Sequence, residues 1–263
     1  MGKFPVLFIH MQYLPLTNEI YRPMSDRMKT LLCLILPALW AGMACAQNIP
    51  AEEVLSGSIA YHDPDGVWGT YRGSFVVVME SPGEASRRSE ITMDQPADEF
   101  RLHVQRGETK KTYTWNAGIC ALSLNGQAEF SEAEARAHRL TCERAEMYRN
   151  YYAYLYGLPM KLRDPGTRIT PEAQKKTFHG KEYWVLEVQY DPGVGSDLWY
   201  FYFDPKTFAL KAYQFYHDKA KNDGEYILLE GEHHLGGMRL PKIRTWYTNR
   251  EGKLLGTDTL QNI

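Results

Sequence analysis

What most constrains the fold of this chain is a set of short segments in which apolar and polar residues alternate, separated by turn chemistry. Alternation at period two places one set of side chains on each face of a strand. It runs through residues 71–79, 88–93, 99–105 and 111–115, and again through 182–190, 198–203, 210–216, 226–235, 239–247 and 253–260. Between these segments lie Ser81-Pro-Gly, Asn125-Gly, Asp191-Pro-Gly, Asp204-Pro, Asn222-Asp-Gly and Arg250-Glu-Gly, residue types that close tight turns. About ten strands at this spacing predict an antiparallel meander that curls into a barrel or half-barrel. A parallel α/β sheet is excluded, because the late strands have no helical crossovers between them.

Two helices interrupt the pattern. Ser131-Glu-Ala-Glu134 reads as a capping box, and apolar residues spaced three or four apart continue through Ala145, Tyr152 and Leu155 until Gly157 and Pro159. This predicts one long amphipathic helix lying across the sheet. A short helix over residues 51–60 leads into the first strand.

The N-terminal part has a different logic. Arg27 and Lys29 precede an apolar run from Leu31 to Met43, followed by the small-residue triplet Ala44-Cys45-Ala46. That is the order of a secretory signal, with cleavage before Gln47. Residues 1–27 then read as an upstream extension, 28–46 as the signal and 47–263 as a single β domain. Cys45 offers the alternative of a lipid-anchored cysteine, although Gly42 stands where such a site takes a branched aliphatic residue. An uncleaved anchor would need about 20 apolar residues, and this run is shorter and broken by Pro37. The expected location is therefore periplasmic or secreted, with no membrane span in the mature chain.

Composition narrows the partners. The formal charge is −2, and residues 1–46 carry Lys3, Arg22, Arg27 and Lys29 against Glu19 and Asp26, so cleavage leaves a more acidic product. No basic stripe argues for nucleic acid. Of the four cysteines only Cys120 and Cys142 survive cleavage, and in an exported chain a lone pair reads as a disulfide. With Cys142 on the long helix and Cys120 on a strand, the bridge would pin helix to sheet.

The residues with chemical potential are few. Tyr61-His62-Asp63-Pro64 and Tyr216-His217-Asp218 each set a histidine beside a carboxylate, the arrangement of a general base. Against this, each aspartate also suits a turn cap, and no nucleophile stands at diagnostic spacing. Together with Glu225 the two elements could form a polar rim. Glu230, Glu232 and His234 share a strand face, but about 6 to 7 Å between successive same-face residues is too far for one ion, so a solvated face is expected and no metal or cofactor. Lys161, Arg163 and Arg168 beside Asp164 could meet an anionic headgroup or remain solvated loop charges.

Aromatics supply the remaining candidates. Trp199, Phe201 and Phe203 alternate with Tyr200 and Tyr202 on one strand, Phe75 lies on another, and Tyr148 and Tyr152 lie on the long helix. A strand aromatic on both faces is covered on both, by core or by ligand. Phe75, Tyr148, Tyr152, Trp199, Phe201 and Phe203 are the candidate lining of an apolar site.

Five longer segments carry a resemblance: residues 59–68 (IAYHDPDGVW), 139–149 (RLTCERAEMYR), 154–166 (YLYGLPMKLRDPG), 199–205 (WYFYFDP) and 224–229 (GEYILL). Over nearly all of the mature part the chain resembles a domain-of-unknown-function family of exported proteins from Gram-negative bacteria, which brings no established activity. In strand number and covering helix it also resembles the lipoprotein-carrier half-barrels of the LolA and LppX type. That likeness implies an open sheet whose concave face holds acyl chains. The leading expectation is a periplasmic binding or carrier protein for an apolar ligand such as a lipid. The alternatives are a periplasmic hydrolase using the His/Asp elements and an envelope module that binds another protein through a sheet edge.

The export reading has a direct check. N-terminal sequencing of the secreted product should begin at Gln47; a blocked, acylated N-terminus at Cys45 would show the lipoprotein route instead.

Overall fold

The computed structural model describes residues 48–263; the expected signal and upstream segment lie outside the described residues. The chain begins with β1 (Ile49–Pro50) and α1 (Ala51–His62) and continues as a meander of β2 (Arg72–Glu80), β3 (Arg87–Asp94), β4 (Glu99–Arg106), β5 (Thr109–Asn116) and β6 (Ile119–Leu124). Two helices follow, α2 (Glu132–His138) and α3 (Cys142–Tyr156). A second meander comprises β7 (Thr167–Ile169), β8 (Glu172–Phe178), β9 (Lys181–Tyr190), β10 (Leu198–Phe203), β11 (Leu210–Asp218), β12 (Asp223–Leu235), β13 (Met238–Thr248) and β14 (Leu254–Gln261).

All strands join one antiparallel sheet in the order β1-β8-β9-β10-β11-β12-β13-β14-β2-β3-β4-β5-β6, with β7 alongside β9. The two meanders meet where β14 pairs with β2, Leu260 opposite Val77. The ends of this order, β6 and β1, are not paired to each other, so the sheet is a curved, open half-barrel. All ten strands of the alternation pattern are present. The additional ones are the short β1 and β7 together with β6 and β8. Of these, β8 is polar at most positions and alternates too weakly to be read. Hairpin turns follow the turn chemistry: Gly236 and Gly237, with φ of 59° and 94°, join β12 to β13 in the mirror-image conformation that matches strand twist.

Alternation sorts the side chains into two layers. Phe75, Ile91, Leu102, Tyr113, Leu186, Phe201, Phe203 and Ile227 point to the concave face and are buried together with Tyr152, Leu155 and Tyr156 of α3 and Val54 and Leu55 of α1. On the convex face Val185, Tyr200, Tyr202 and Ala212 form a second, smaller cluster against Phe178 and Tyr183. Both aromatic faces of β10 are thus covered, the inner by helices and the outer by neighbouring rings, with Phe178 stacked on Tyr202 at 4.4 Å.

The long helix is broken, which corrects the expectation of a single element from Ser131 to Leu155. Its first segment has the capping box, Ser131 Oγ accepting from Glu134 N at 3.2 Å and Ser131 N donating to Glu134 Oε2 at 2.8 Å. It stops at Arg139, which adopts a left-handed conformation with φ of 53°. Thr141 then starts α3, its hydroxyl accepting from Arg144 N at 3.2 Å. Leu140, between them, is buried. The bend lets a short exposed segment cross outside the sheet while the second segment turns inward.

Cys142 opens α3 and is bonded to Cys120 on the edge strand β6. The bridge ties the covering helix to one end of the open sheet. It closes a loop with a sequence separation of 22, which the chain-entropy model values at about 3 kcal/mol. Replacing both cysteines by serine should lower the unfolding free energy by about that amount in urea titrations, and thiol labelling of denatured, unreduced protein should find neither Cys120 nor Cys142 free.

Candidate functional site

The two His/Asp elements are occupied by the fold and lie apart. His62, the last residue of α1, is buried: its Nδ1 lies 2.5 Å from the Arg239 carbonyl and its Nε2 accepts from Leu210 N at 2.9 Å. The first bond requires the proton on Nδ1, leaving Nε2 as acceptor, so the ring is neutral and both nitrogens are spent on backbone. Burial pushes its pKa down to about 4. Asp63 caps the following turn, accepting from Val67 N at 2.8 Å and Trp68 N at 3.0 Å. His217 lies at the other end of β11, about 23 Å from Leu210 at strand rise, where its Nδ1 pairs with Asp197 at 2.8 Å. That bond raises its pKa. Asp218 caps the next turn through Ala220 N at 3.0 Å and pairs with Lys221 at 2.8 Å. Glu225 stands near His217, its carboxyl pushed up by burial, and has no part in the His62 environment. The geometry brings no nucleophile, base and carboxylate together here.

Glu230, Glu232 and His234 are exposed on β12, and His233 turns to the C-terminus, its Nε2 2.9 Å from Asn262 Oδ1. Among the described residues no three His, Cys, Asp or Glu side chains gather as metal ligands. The loop cations are engaged individually: Lys161 with Asp164, Arg163 with Glu52, and Arg168 with Asp191 at 3.1 Å.

Of the aromatic candidates, Phe75, Tyr152, Phe201 and Phe203 are fully buried in close-packed surroundings. Phe75 packs on Tyr156 at 4.7 Å, and Phe201 lies between Trp199 at 5.8 Å and Tyr213 at 6.2 Å. Tyr148 is half-buried against Tyr113 at 5.1 Å. The core beneath α3 is therefore filled, and it carries a polar seam. Arg244 faces Asp258 across β13 and β14. Its guanidinium lies 4.1 Å from the Tyr156 ring and donates to the Leu155 carbonyl at 3.3 Å and to Pro241 O at 3.1 Å. Asp258 accepts from Trp246 Nε1 at 3.0 Å, and burial pushes its carboxyl above the usual range.

Open space lies beyond the filled core, along the second half of α3 from Met147 to Tyr154. A cleft of about 910 Å³ has Met93, Phe100, Tyr151, Ala153, Tyr154 and Val194 among its apolar lining. Its polar lining includes five carboxylates, Asp94, Asp98, Glu99, Asp164 and Asp197, against Arg149 and Lys161. A hollow of about 260 Å³ adjoins it and shares Tyr154, Tyr190, Val194 and Asp197, with Trp199 as its further wall. Tyr154 and Tyr190 are bonded hydroxyl to hydroxyl at 2.5 Å, and burial raises both phenols, Tyr190 to about 12. Trp199 is the one aromatic candidate that borders this space. Tyr190 and Asp197 escaped the sequence pattern, although the Gly193-Val-Gly195 loop beside an aromatic strand flanks them; Tyr151 and Tyr154 belong to the tyrosine-rich end of α3 that the sequence displays.

The chain matches a family model described as a family of unknown function, DUF6503, over residues 26–262, and belongs to that family. No curated protein matches it. Among solved structures, a LolA superfamily protein from Nitrosomonas europaea is 10% identical, with 81% of this chain and 92% of that one covered at a TM-score of 0.45. A DUF1329 family protein from Desulfovibrio piger is 11% identical over the same shares, 81% and 92%, at a TM-score of 0.46. No ligand or activity passes from these likenesses to this chain.

The His62 geometry fixes a pH dependence. Unfolded, the ring titrates near 6.5, and folded near 4, so the stability it contributes is complete above pH 6.5 and is lost as pH falls toward 4. The difference is worth up to about 3 kcal/mol. Urea titrations at pH 7 and pH 4.5 should show that His62→Gln is less stable than wild type at pH 7, with the gap narrowing by that order at pH 4.5.

Proposed function

We propose that this chain is an exported binding or carrier protein for an apolar ligand, a lipid or single acyl chain, held in the cleft beside the second half of α3. The observation that carries this reading is the cleft: about 910 Å³ at the mouth of an otherwise filled half-barrel, with Met93, Phe100, Ala153 and Val194 in its lining. That volume lies in the range of small-molecule sites, about 300 to 1,000 Å³. Met93 and Phe100 are buried at the floor of the cleft, while Val194 and Met147 are exposed and Ala153 is half-buried; covering such exposed apolar surface with a chain gains roughly 25 cal/mol per Å². Export is supported by the signal pattern ending at Ala46 and by the disulfide between Cys120 and Cys142, which suits an oxidising compartment. No described helix is long and apolar enough to cross a membrane.

The test places bulk in the cleft and in the core separately. Ala153 is only half-buried, so Ala153→Trp should weaken binding of a pyrene-labelled long-chain alcohol by about tenfold while the melting temperature moves by no more than about 2 °C. Phe201 is fully buried, and Phe201→Trp should cost about 1 to 3 kcal/mol of stability. A wild type that never binds the probe would overturn the carrier reading.

A further inference from the structure

We propose that the hollow walled by Tyr154, Tyr190 and Trp199, with Asp197 at its mouth, takes the alkylammonium headgroup of an amphiphile whose chain lies in the adjoining cleft. This rests on the carrier reading above and names the chemistry of its ligand. The rings form a corner: Trp199 stands 5.7 Å from Tyr154 at 64°, and Tyr190 stands 6.3 Å from Tyr154 at 71°. The corner is held in place, because Trp199 packs on Phe215 at 4.7 Å and the Tyr154 and Tyr190 hydroxyls are bonded to each other. Both phenols stay neutral at physiological pH, which leaves their faces electron-rich. A quaternary ammonium donates no hydrogen bond and is held by such faces, best by tryptophan, with a carboxylate close by.

The charge around the hollow has the matching sign. The cleft carries five carboxylates against two cations. Arg149 pairs with Asp98, Lys161 with Asp164 and Arg72 with Asp94 at 3.2 Å, which leaves Glu99 and Asp197 as the carboxylates without a Lys or Arg partner among the described residues; outside the cleft Arg168 is spent on Asp191. Asp197 uses Oδ1 on His217 and keeps about a quarter of its side-chain surface exposed, 25%. An anionic headgroup would meet repulsion here, and a neutral one would gain nothing from the rings beyond area. The two spaces share Tyr154, Tyr190, Val194 and Asp197, so one molecule can fill both.

Isothermal titration of the purified protein with four probes separates the possibilities: decyltrimethylammonium, decanol, decanoate and tetramethylammonium, each below its micelle concentration. Decyltrimethylammonium should bind about tenfold more tightly than decanol, with decanoate weakest. Trp199→Leu and Asp197→Asn should each weaken decyltrimethylammonium by about tenfold and leave decanol within about twofold. Asp197→Asn is isosteric and lies in a loop, so it tests the assignment even if the tryptophan variant fails to fold, as circular dichroism would show. Equal affinities for decyltrimethylammonium and decanol, or a preference that survives Asp197→Asn, would overturn the headgroup assignment while leaving the carrier reading in place. Tetramethylammonium binding as tightly as its decyl derivative would keep the cation site and overturn the chain-binding reading. Failure of all four probes to bind would overturn both.

Discussion

An open half-barrel has one concave apolar face and nothing of its own to cover it, so the rest of this structure depends on how α3 is held across the trough. The helix is fastened at both ends by different means. Its first residue is bonded to the edge strand β6 through Cys120–Cys142, and its last turn accepts a hydrogen bond from Arg244 at the Leu155 carbonyl. The second tie uses one of the helix's orphan C-terminal carbonyls, which would otherwise be buried without a partner. Arg244 is only 2% exposed; its guanidinium lies over the Tyr156 ring, and Asp258 stands opposite it in the strand register. Removing one member would leave a buried charge uncompensated, which costs far more than the intact set contributes.

The same economy explains why His62 and Asp63 are committed to backbone groups. The start of β11 and the start of β13, before its pairing with β14 begins at Ile243, meet the end of α1, and backbone groups buried without partners are expensive. His62 serves both at once, accepting from Leu210 N and bonding the Arg239 carbonyl. Asp63 does the equivalent for the turn that leads to Trp68, whose ring packs on Gly157 where α3 ends; a Cβ there would come within 2.4 Å of the indole. A histidine next to an aspartate thus reads as a base in one dimension and as a staple between three elements in three.

How far the sequence revealed this follows from which physics is local. Alternation and turn chemistry are properties of neighbouring residues, and they placed the ten main strands, the hairpins and the capping box at Ser131. The break at Arg139 was not legible, because an arginine in a left-handed conformation has no sequence signature and Leu140 is drawn inward only by the core it joins. For the cleft the aromatic inventory was legible but its partition was not. Tyr152 and Tyr154 are two residues apart on α3, and at about 100° per residue they face nearly opposite ways. One is sealed into the core beneath the helix and the other borders the cleft. Phe201 and Trp199 share a strand face and still differ, since Phe201 is fully buried while Trp199, at the strand's open end, borders the hollow.

That difference between the centre and the end of one face has a consequence for how a ligand would come and go. A half-barrel that stored an acyl chain beneath its helix would have to separate α3 from the sheet, against the disulfide, the Arg244 tie and a filled aromatic core. Placing the open space along the outer flank of α3, from Met147 to Tyr154, removes that requirement. The cleft is bordered instead by the turn between β3 and β4 and by the loop from Asp191 to Asp197, whose backbone makes few bonds to the sheet. Segments of that kind lie at the low-stability end of a fold and can open without disturbing it. Ties are therefore concentrated where α3 crosses the sheet and sparse at the loop from Asp191 to Asp197, the division of labour that the proposed carrier role would need.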